Sequence, residues 1–485
     1  MQHYDVIIVG AGLSGIAAAY YLQRECPARS FTILEARSSI GGTWDLFRYP
    51  GVRSDSDMYT LGYSFFPWPN AQAIADGPTI RDYLHTTAQT YGLDRAIRFQ
   101  QRVRHAAWSS ATARWTLEVI SGPDAQITPY TCNFLFMCTG YYEYAQGYTP
   151  EWPGRETFTG PIIHPQHWPA DLEYANKRII VIGSGATAVT LVPALAKHAA
   201  HVTMLQRSPT YIAAQPTRNP SDDWLRDHLP PRLGHLLVRW KHVLVSAAYY
   251  HLMRWQPARA RRSLIRMMQA HLPPGYDVAT HFSPRYDPWD QRLCLAPDGD
   301  IFAAIRAGRA TVVTDQIDHV TPNGIALRSG QILNADIIVT ATGLIMRLMS
   351  GIALEVDGRT VDLARTLSYR GTMFSDVPNL ALAMGYTNAS WTLKCELSAQ
   401  YICRLLNYMQ RHGYAQCTPR RDAQVRPMPV INFTSGYVQR ALAELPQQGS
   451  RHPWKLYQNY LLDIFSFRFG RLRDQALEFR SVKRS

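Results

Sequence analysis

Short β-rich apolar runs alternate with helical stretches along most of the chain. Residues 5–9, Asp-Val-Ile-Ile-Val, form such a run and lead at once into Gly10-Ala11-Gly12-Leu13-Ser14-Gly15 and an Ala-rich helical pattern through Leu22. A second run, residues 31–34, ends in Glu35. The same order returns at residues 178–182, then Gly183-Ser184-Gly185-Ala186-Thr187-Ala188, a helix through about Lys197 and a strand over 201–205. This copy ends in Gln206-Arg207-Ser208, with no acid. Residues 134–140 and 336–343 read as buried parallel strands, each closing on a glycine that returns the chain at a domain border. Between about 216 and 289 the alternation stops. Residues 239–250 and 259–272 read as helices there, with breaks at Pro230-Pro231, Pro257 and Pro273-Pro274-Gly275.

The predicted fold is α/β, with two Rossmann-like dinucleotide-binding domains and a helical insertion in the second. Residues 1–145 and 344–485 make the first, residues 146–343 the second, and about 216–289 the insertion. Strand, glycine turn, helix, strand and acid are the elements such a site requires, and Glu35 lies at the spacing expected after Gly15. Gly10 permits the tight turn, Gly12 lets backbone approach a pyrophosphate, and Gly15 lets the helix lie close on the strand. The helix N-terminus offers unpaired N–H groups and a positive dipole end to phosphate. Glu35 can accept hydrogen bonds from ribose hydroxyls. In the second copy an acid would repel a 2'-phosphate, whereas Arg207 and the Ser208 hydroxyl can bind one. The expectation is FAD in the first domain and NADPH in the second.

With 485 residues, 46% of them apolar, the chain can fill several cores. Its net charge of +13 attracts anions, whether phosphorylated cofactors, nucleic acid or acidic lipid. Nucleic acid is the weaker reading, because no reader motif is present and aromatics are not interleaved with basic residues outside the C-terminal stretch. That stretch reads as a basic tail, with Phe465, Phe467 and Phe469 beside Arg468, Arg471 and Arg473. A second basic cluster, Arg254, Arg259, Arg261, Arg262 and Arg266, reads as a solvated helix face that leaves peripheral contact with a cell membrane open. No apolar run is long enough for a transmembrane helix. Seven cysteines, never spaced C-x-x-C, argue against a disulfide framework, a zinc ribbon and a paired-thiol redox centre. No metal site is expected, and a cytoplasmic setting fits.

Residues 158–169, Phe158-Thr-Gly160-Pro-Ile-Ile-His164-Pro-Gln-His-Trp168-Pro169, match the F-x-G-x-x-x-H-x-x-x-W-P signature of Baeyer-Villiger monooxygenases, a group within the class B flavoprotein monooxygenases. Stretches beginning at Gly41, Gly183 and Tyr386 resemble the same group, so the likeness spans nearly the whole chain. It implies that NADPH reduces FAD, that dioxygen then gives a C4a-peroxyflavin, and that a ketone becomes an ester or lactone, with oxidation of sulfides and thioamides beside it. A flavin N- or S-oxygenase without ketone activity is the neighbouring reading. A basic flavoprotein that mainly binds a membrane surface is a further one.

By the same resemblance Arg292 is the cation that stabilises the oxygen anion, and Asp55 orients it. Asp57 competes for that second place, since carboxylates commonly cap turns. Gly42, Thr43 and Trp44 resemble a flavin-contacting loop, although Trp44 also fits a plain core aromatic. Arg53 and Val103 are assigned to the same site. His164 is read as organising the link between domains rather than as an acid or base. Asn388 or Ser390 would cap a helix aimed at the flavin. Gln291 stands where many relatives carry lysine, so NADPH preference rests on Arg207 and Ser208.

Overall fold

The computed structural model describes residues 1–481. Val6, Ile7 and Ile8 are wholly buried because their strand, Gln2–Val9, has parallel neighbours on both edges. Phe31–Leu34 and then Ile97–Arg98 lie on one side. On the other lies Gln126–Met137, which turns the sheet antiparallel through Arg114–Ser121 and Gln101–Ser109. Ala353–Val356 extends that edge, and Leu380–Leu382 pairs with the end of Gln126–Met137. Strands from early and late in the chain therefore build one sheet. Helix Leu13–Glu25 packs on it and against the long helix Trp391–Arg411.

The second sheet is wholly parallel. Arg178–Ile182 lies at its centre, with His201–Gln206 and Ala310–Thr314 to one side and Ile337–Thr340 and Ile162–Ile163 to the other. Two dinucleotide-type sheets on one chain match the fold read from the sequence.

Helices Pro220–His228, Pro231–Trp255, Pro257–His271 and Val278–His281 form the insertion. Pro231 and Pro257, which read as breaks, each open a helix, because proline's missing N–H costs nothing in the first turn, whereas Pro273 and Pro274 lie between helices. Helix Pro231–Trp255 reaches back across the first domain. Its Arg239 donates to the carbonyls of Tyr59 and Gly62 and pairs with the buried Glu396 at 2.9 Å.

Two crossovers join the sheets and run side by side. The Glu143 N–H donates to the Ile345 carbonyl at 2.8 Å, and the Tyr148 N–H to the Gly343 carbonyl at 3.0 Å. The 158–169 segment pins both: His164 Nε2 meets the Gly343 carbonyl at 3.1 Å, and the Gln166 amide donates to the Glu143 carbonyl at 2.8 Å. Nδ1 of His164 accepts the Gln166 N–H, so both ring nitrogens are engaged in structure. Burial lowers its pKa, an effect the Gly343 carbonyl partly offsets.

The C-terminal stretch is not a free tail. Helix Tyr460–Arg468 packs on Trp391–Arg411, and Leu477–Arg480 pairs with Gln416–Pro419. Phe467 is buried, whereas Phe465 and Phe469 are exposed.

Candidate functional site

A cavity of about 550 Å³ opens between the two sheets, walled by the first glycine turn, the 42–55 loop, the 139–145 crossover and the start of the second glycine helix. The first turn is built by backbone constraint. Gly10 has φ +105°, and a Cβ there would lie 2.6 Å from the Cys138 carbonyl oxygen. A Cβ on Gly15 would lie 1.9 Å from the Gly10 carbonyl oxygen, so only glycine lets the helix start there. Gly12 and Gly42 face each other, a Cβ on Gly42 falling 3.1 Å from the Gly12 Cα.

Glu35 is buried at the cavity edge, where it accepts the Ala11 N–H at 2.7 Å and the Arg37 N–H at 2.9 Å. Burial raises its pKa, and those N–H donors partly hold it down. Ser14 also lines the cavity, but its hydroxyl is engaged: it accepts the Trp391 indole N–H at 3.0 Å and lies 3.2 Å from Cys395 Sγ. Thr43 meets the Tyr144 hydroxyl at 3.4 Å. Trp44 packs against both large cores at once, so core residue and cavity wall are one position. Val103 and Arg53 complete that wall, Arg53 being paired with Asp300.

Arg292 enters from the far side, its Nε 3.4 Å from Asp55 Oδ2. The Asp55 carboxylate raises the pKa of Arg292 above the usual arginine range, outweighing burial, so the guanidinium stays charged. Asp57 does not compete. Its carboxylate caps helix Met58–Leu61 by accepting the Thr60 N–H at 2.8 Å.

At the second turn, a Cβ on Gly183 would lie 2.3 Å from the Ala341 carbonyl oxygen, while Gly185 faces open space. Ala186 and Thr187 line the shared cavity, and Ala188 is buried. Ser184 donates to the Ser208 carbonyl at 3.0 Å, which brings Arg207 and Ser208, both exposed, beside that turn but outside the cavity walls. Gln206 points inward, its amide donating to the His281 carbonyl and to Thr314 at 2.8 Å each.

Asn388 is not brought to the cavity. Its amide donates to the Gln458 carbonyl at 3.0 Å, and the helix begins instead at Trp391. Ser390 takes the N-cap position of that helix, but its hydroxyl makes no capping bond and instead meets Thr60 Oγ1 at 2.5 Å.

Residues 3–224 match the model of the family described as flavin-binding monooxygenase-like. The FAD-containing monooxygenase EthA of Mycobacterium tuberculosis is 55% identical over 480 residues, covering 99% of this chain and 98% of that protein. The chain belongs to the flavin-binding monooxygenase family. A second relative of this flavoprotein monooxygenase, the probable FAD-binding monooxygenase AlmA of Acinetobacter baylyi, is 46% identical over 99% of the chain and 96% of its own length. Among solved structures, an oxidised steroid monooxygenase bound to NADP superposes with a TM-score of 0.75 at 21% identity, over 99% of this chain and all of that one.

Several walls of the monooxygenase cavity escape motif reading. Tyr49, Arg37, Tyr141, Tyr144 and Trp391 all line it. Burial pushes the Tyr49 and Tyr144 phenols up to about 12, so both remain protonated at neutral pH. The aromatic run 141–144 directly after Gly140 was a signal for three cavity residues. Nothing local marks Trp391, which reaches the first turn through the packing of Trp391–Arg411 on Leu13–Glu25. All seven cysteines are buried and unpaired.

Proposed function

We propose that this protein is an FAD- and NADPH-dependent Baeyer-Villiger monooxygenase that inserts one oxygen of dioxygen into ketones to give esters or lactones, and that also oxidises sulfides and thioamides. The observation that carries this reading is the Arg292–Asp55 pair, 3.4 Å apart in the wall of the cavity bounded by the first glycine turn and the start of the second glycine helix. The residues present fit both cofactors. Close approach at Gly12 and Gly42, together with the Glu35 carboxylate, suits a pyrophosphate and ribose. The open face of Gly185, with Arg207 and Ser208 exposed and Gln206 turned inward, suits a 2'-phosphorylated nucleotide. When bound, the flavin supplies activated oxygen at the expense of NADPH and dioxygen. Arg292 holds a permanent positive charge beside the oxygen that gains negative charge, a role lysine would fill less securely because it loses its proton when desolvated. Asp55 fixes the direction of that charge. Trp44 and the protonated tyrosines narrow the cavity and limit water.

A simple ketone supplied with isotopically labelled dioxygen tests the reading. One labelled oxygen in an ester supports it. Sulfoxide from an added sulfide with no ester from any ketone would replace it with a heteroatom oxygenase. Peripheral contact with an anionic membrane belongs to the same proposal. It is supported by the exposed apolar stripe of helix Pro231–Trp255, which includes Leu237, Leu244 and Trp255, and by the exposed Phe465 and Phe469.

A further inference from the structure

The Arg292–Asp55 pair is assembled from two turns distant in sequence, and one helix of the insertion touches both. Helix Pro231–Trp255 sets His242 against Asp57, two residues after Asp55, with Nδ1 3.5 Å from Asp57 Oδ1. The same helix sets Arg254 against Asp290, two residues before Arg292, with Nη1 2.7 Å from Asp290 Oδ1. These two anchors stand about three turns apart, or roughly 18 Å along the helix axis. Each partner of the pair is thus tied, two residues away, to a single rod.

Both anchors are themselves fixed. Nε2 of His242 lies 2.8 Å from Asp222, so a carboxylate stands at each ring nitrogen and the ring is held protonated. Lys241 pairs with the same Asp222 at 2.7 Å, and the ring lies 5.0 Å from that of Tyr59. Arg239, on the same helix, donates to the Tyr59 and Gly62 carbonyls at 2.8 and 2.7 Å, so residues 57–62 are seated on it along their length. At the other end Tyr250 packs edge-on against Trp289, with ring centroids 5.2 Å apart. Trp289 has φ +72°, a left-handed conformation that a bulky residue keeps only where its surroundings impose it. Tyr250 and Arg254 supply those surroundings from the helix. The reacting pair is built differently: the Arg292 and Asp55 side chains remain 35% and 38% exposed, because both open onto the cavity. An ion pair so open to solvent is too weak to fix its own geometry, so the turns behind it set the direction of the guanidinium.

We propose that helix Pro231–Trp255 is a brace for the reacting pair, and that His242 and Arg254 are positioning residues that aim Arg292 by fixing, through Asp57 and Asp290, the turns that carry Asp55 and Arg292. This rests on the monooxygenase reading above and adds to it two residues, neither of which lines the cavity. It also gives the insertion a task in the reaction: holding a charge contributed by the second domain in register with a carboxylate contributed by the first.

The test uses the FAD-loaded enzyme with NADPH, dioxygen and octanone, in wild type, His242→Gln, Arg254→Gln and Arg254→Lys. Flavin content, anaerobic reduction by NADPH and thermal unfolding set an assay temperature at which every variant is folded and loaded. In each Gln variant kcat for ester should fall about tenfold, while the KM for ketone and for NADPH stays within about twofold of wild type. The NADPH not used for ester should be recovered as hydrogen peroxide, since NADPH, a proton and dioxygen then give NADP+ and hydrogen peroxide. Arg254→Lys keeps the cation and should retain at least about half of the wild-type kcat. Hydrogen exchange reads the brace without turnover: residues 54–62 should exchange faster in His242→Gln, and residues 287–294 in Arg254→Gln. An unchanged kcat and peroxide yield in both Gln variants, a raised KM at unchanged kcat, or equal losses in Arg254→Lys and Arg254→Gln overturns the proposal. Absence of ester from wild type with every ketone would instead sink the oxygenation reading, and the exchange result would then still decide whether the helix holds the two turns.

Discussion

Arg292 meets a carboxylate far away in sequence, Asp55, and its contribution can be isolated by truncation. Arg292→Ala should bind FAD and be reduced by NADPH as before, yet lose ester formation by about a hundred- to a thousand-fold, the usual effect of removing one donor to a developing oxyanion. Flavin bleaching under anaerobic NADPH and product analysis separate the two steps; ester at the normal rate would show that the charge is not used. Arg207→Ala should raise the KM for NADPH far more than that for NADH, since only the former carries the 2'-phosphate. Equal increases would place Arg207 outside the phosphate contact. Residues governed by backbone sterics were readable from the sequence, as at Gly10 and Gly15, where a Cβ would strike the chain itself. The choice between Asp55 and Asp57 was not. It depends on which of two nearby carboxylates meets the Thr60 N–H and which meets Arg292, and both outcomes are set by tertiary packing.

The insertion helices carry a polar network that ties one domain to the other. His242, on helix Pro231–Trp255, lies 2.8 Å from Asp222 and 3.5 Å from Asp57, in the same turn as Asp55. Burial alone would lower the His242 pKa, but the Asp222 and Asp57 carboxylates outweigh it and carry it up to about 9. A histidine whose folded pKa exceeds its unfolded value of about 6.5 adds stability that is complete below that value and is lost as pH rises through about 9. His242→Gln should therefore lower Tm most near pH 6, by an amount corresponding to roughly 2–3 kcal/mol, and hardly at all near pH 10. Thermal unfolding of both proteins across that range checks it, and a Tm difference independent of pH would exclude a charged His242. Helix periodicity and the prolines predicted helices here. They could not reveal that Arg239 and His242 face the first domain, because the insertion's partner is distant in the chain.

At the scale of the molecule, exposed Leu237, Leu244 and Trp255 with Phe465 and Phe469 supply an apolar surface on a protein of net charge +13. Such a surface should pellet with phosphatidylglycerol vesicles at low salt, less at high salt, and less again in Leu244→Glu or Trp255→Glu. No pelleting at low salt would remove membrane contact from the proposal. No helix among the described residues is long and apolar enough to cross a bilayer. By itself the sequence determined the two glycine turns, their strands and the difference between their acid and arginine ends, because those features follow from local sterics and charge. Tertiary structure alone decided which side chains share a wall. It joined Arg292 to Asp55, turned Asn388 away toward Gln458 and brought Trp391 onto Ser14. Those outcomes depend on close packing between segments from 70 to 377 residues apart, for which a linear pattern carries no distance.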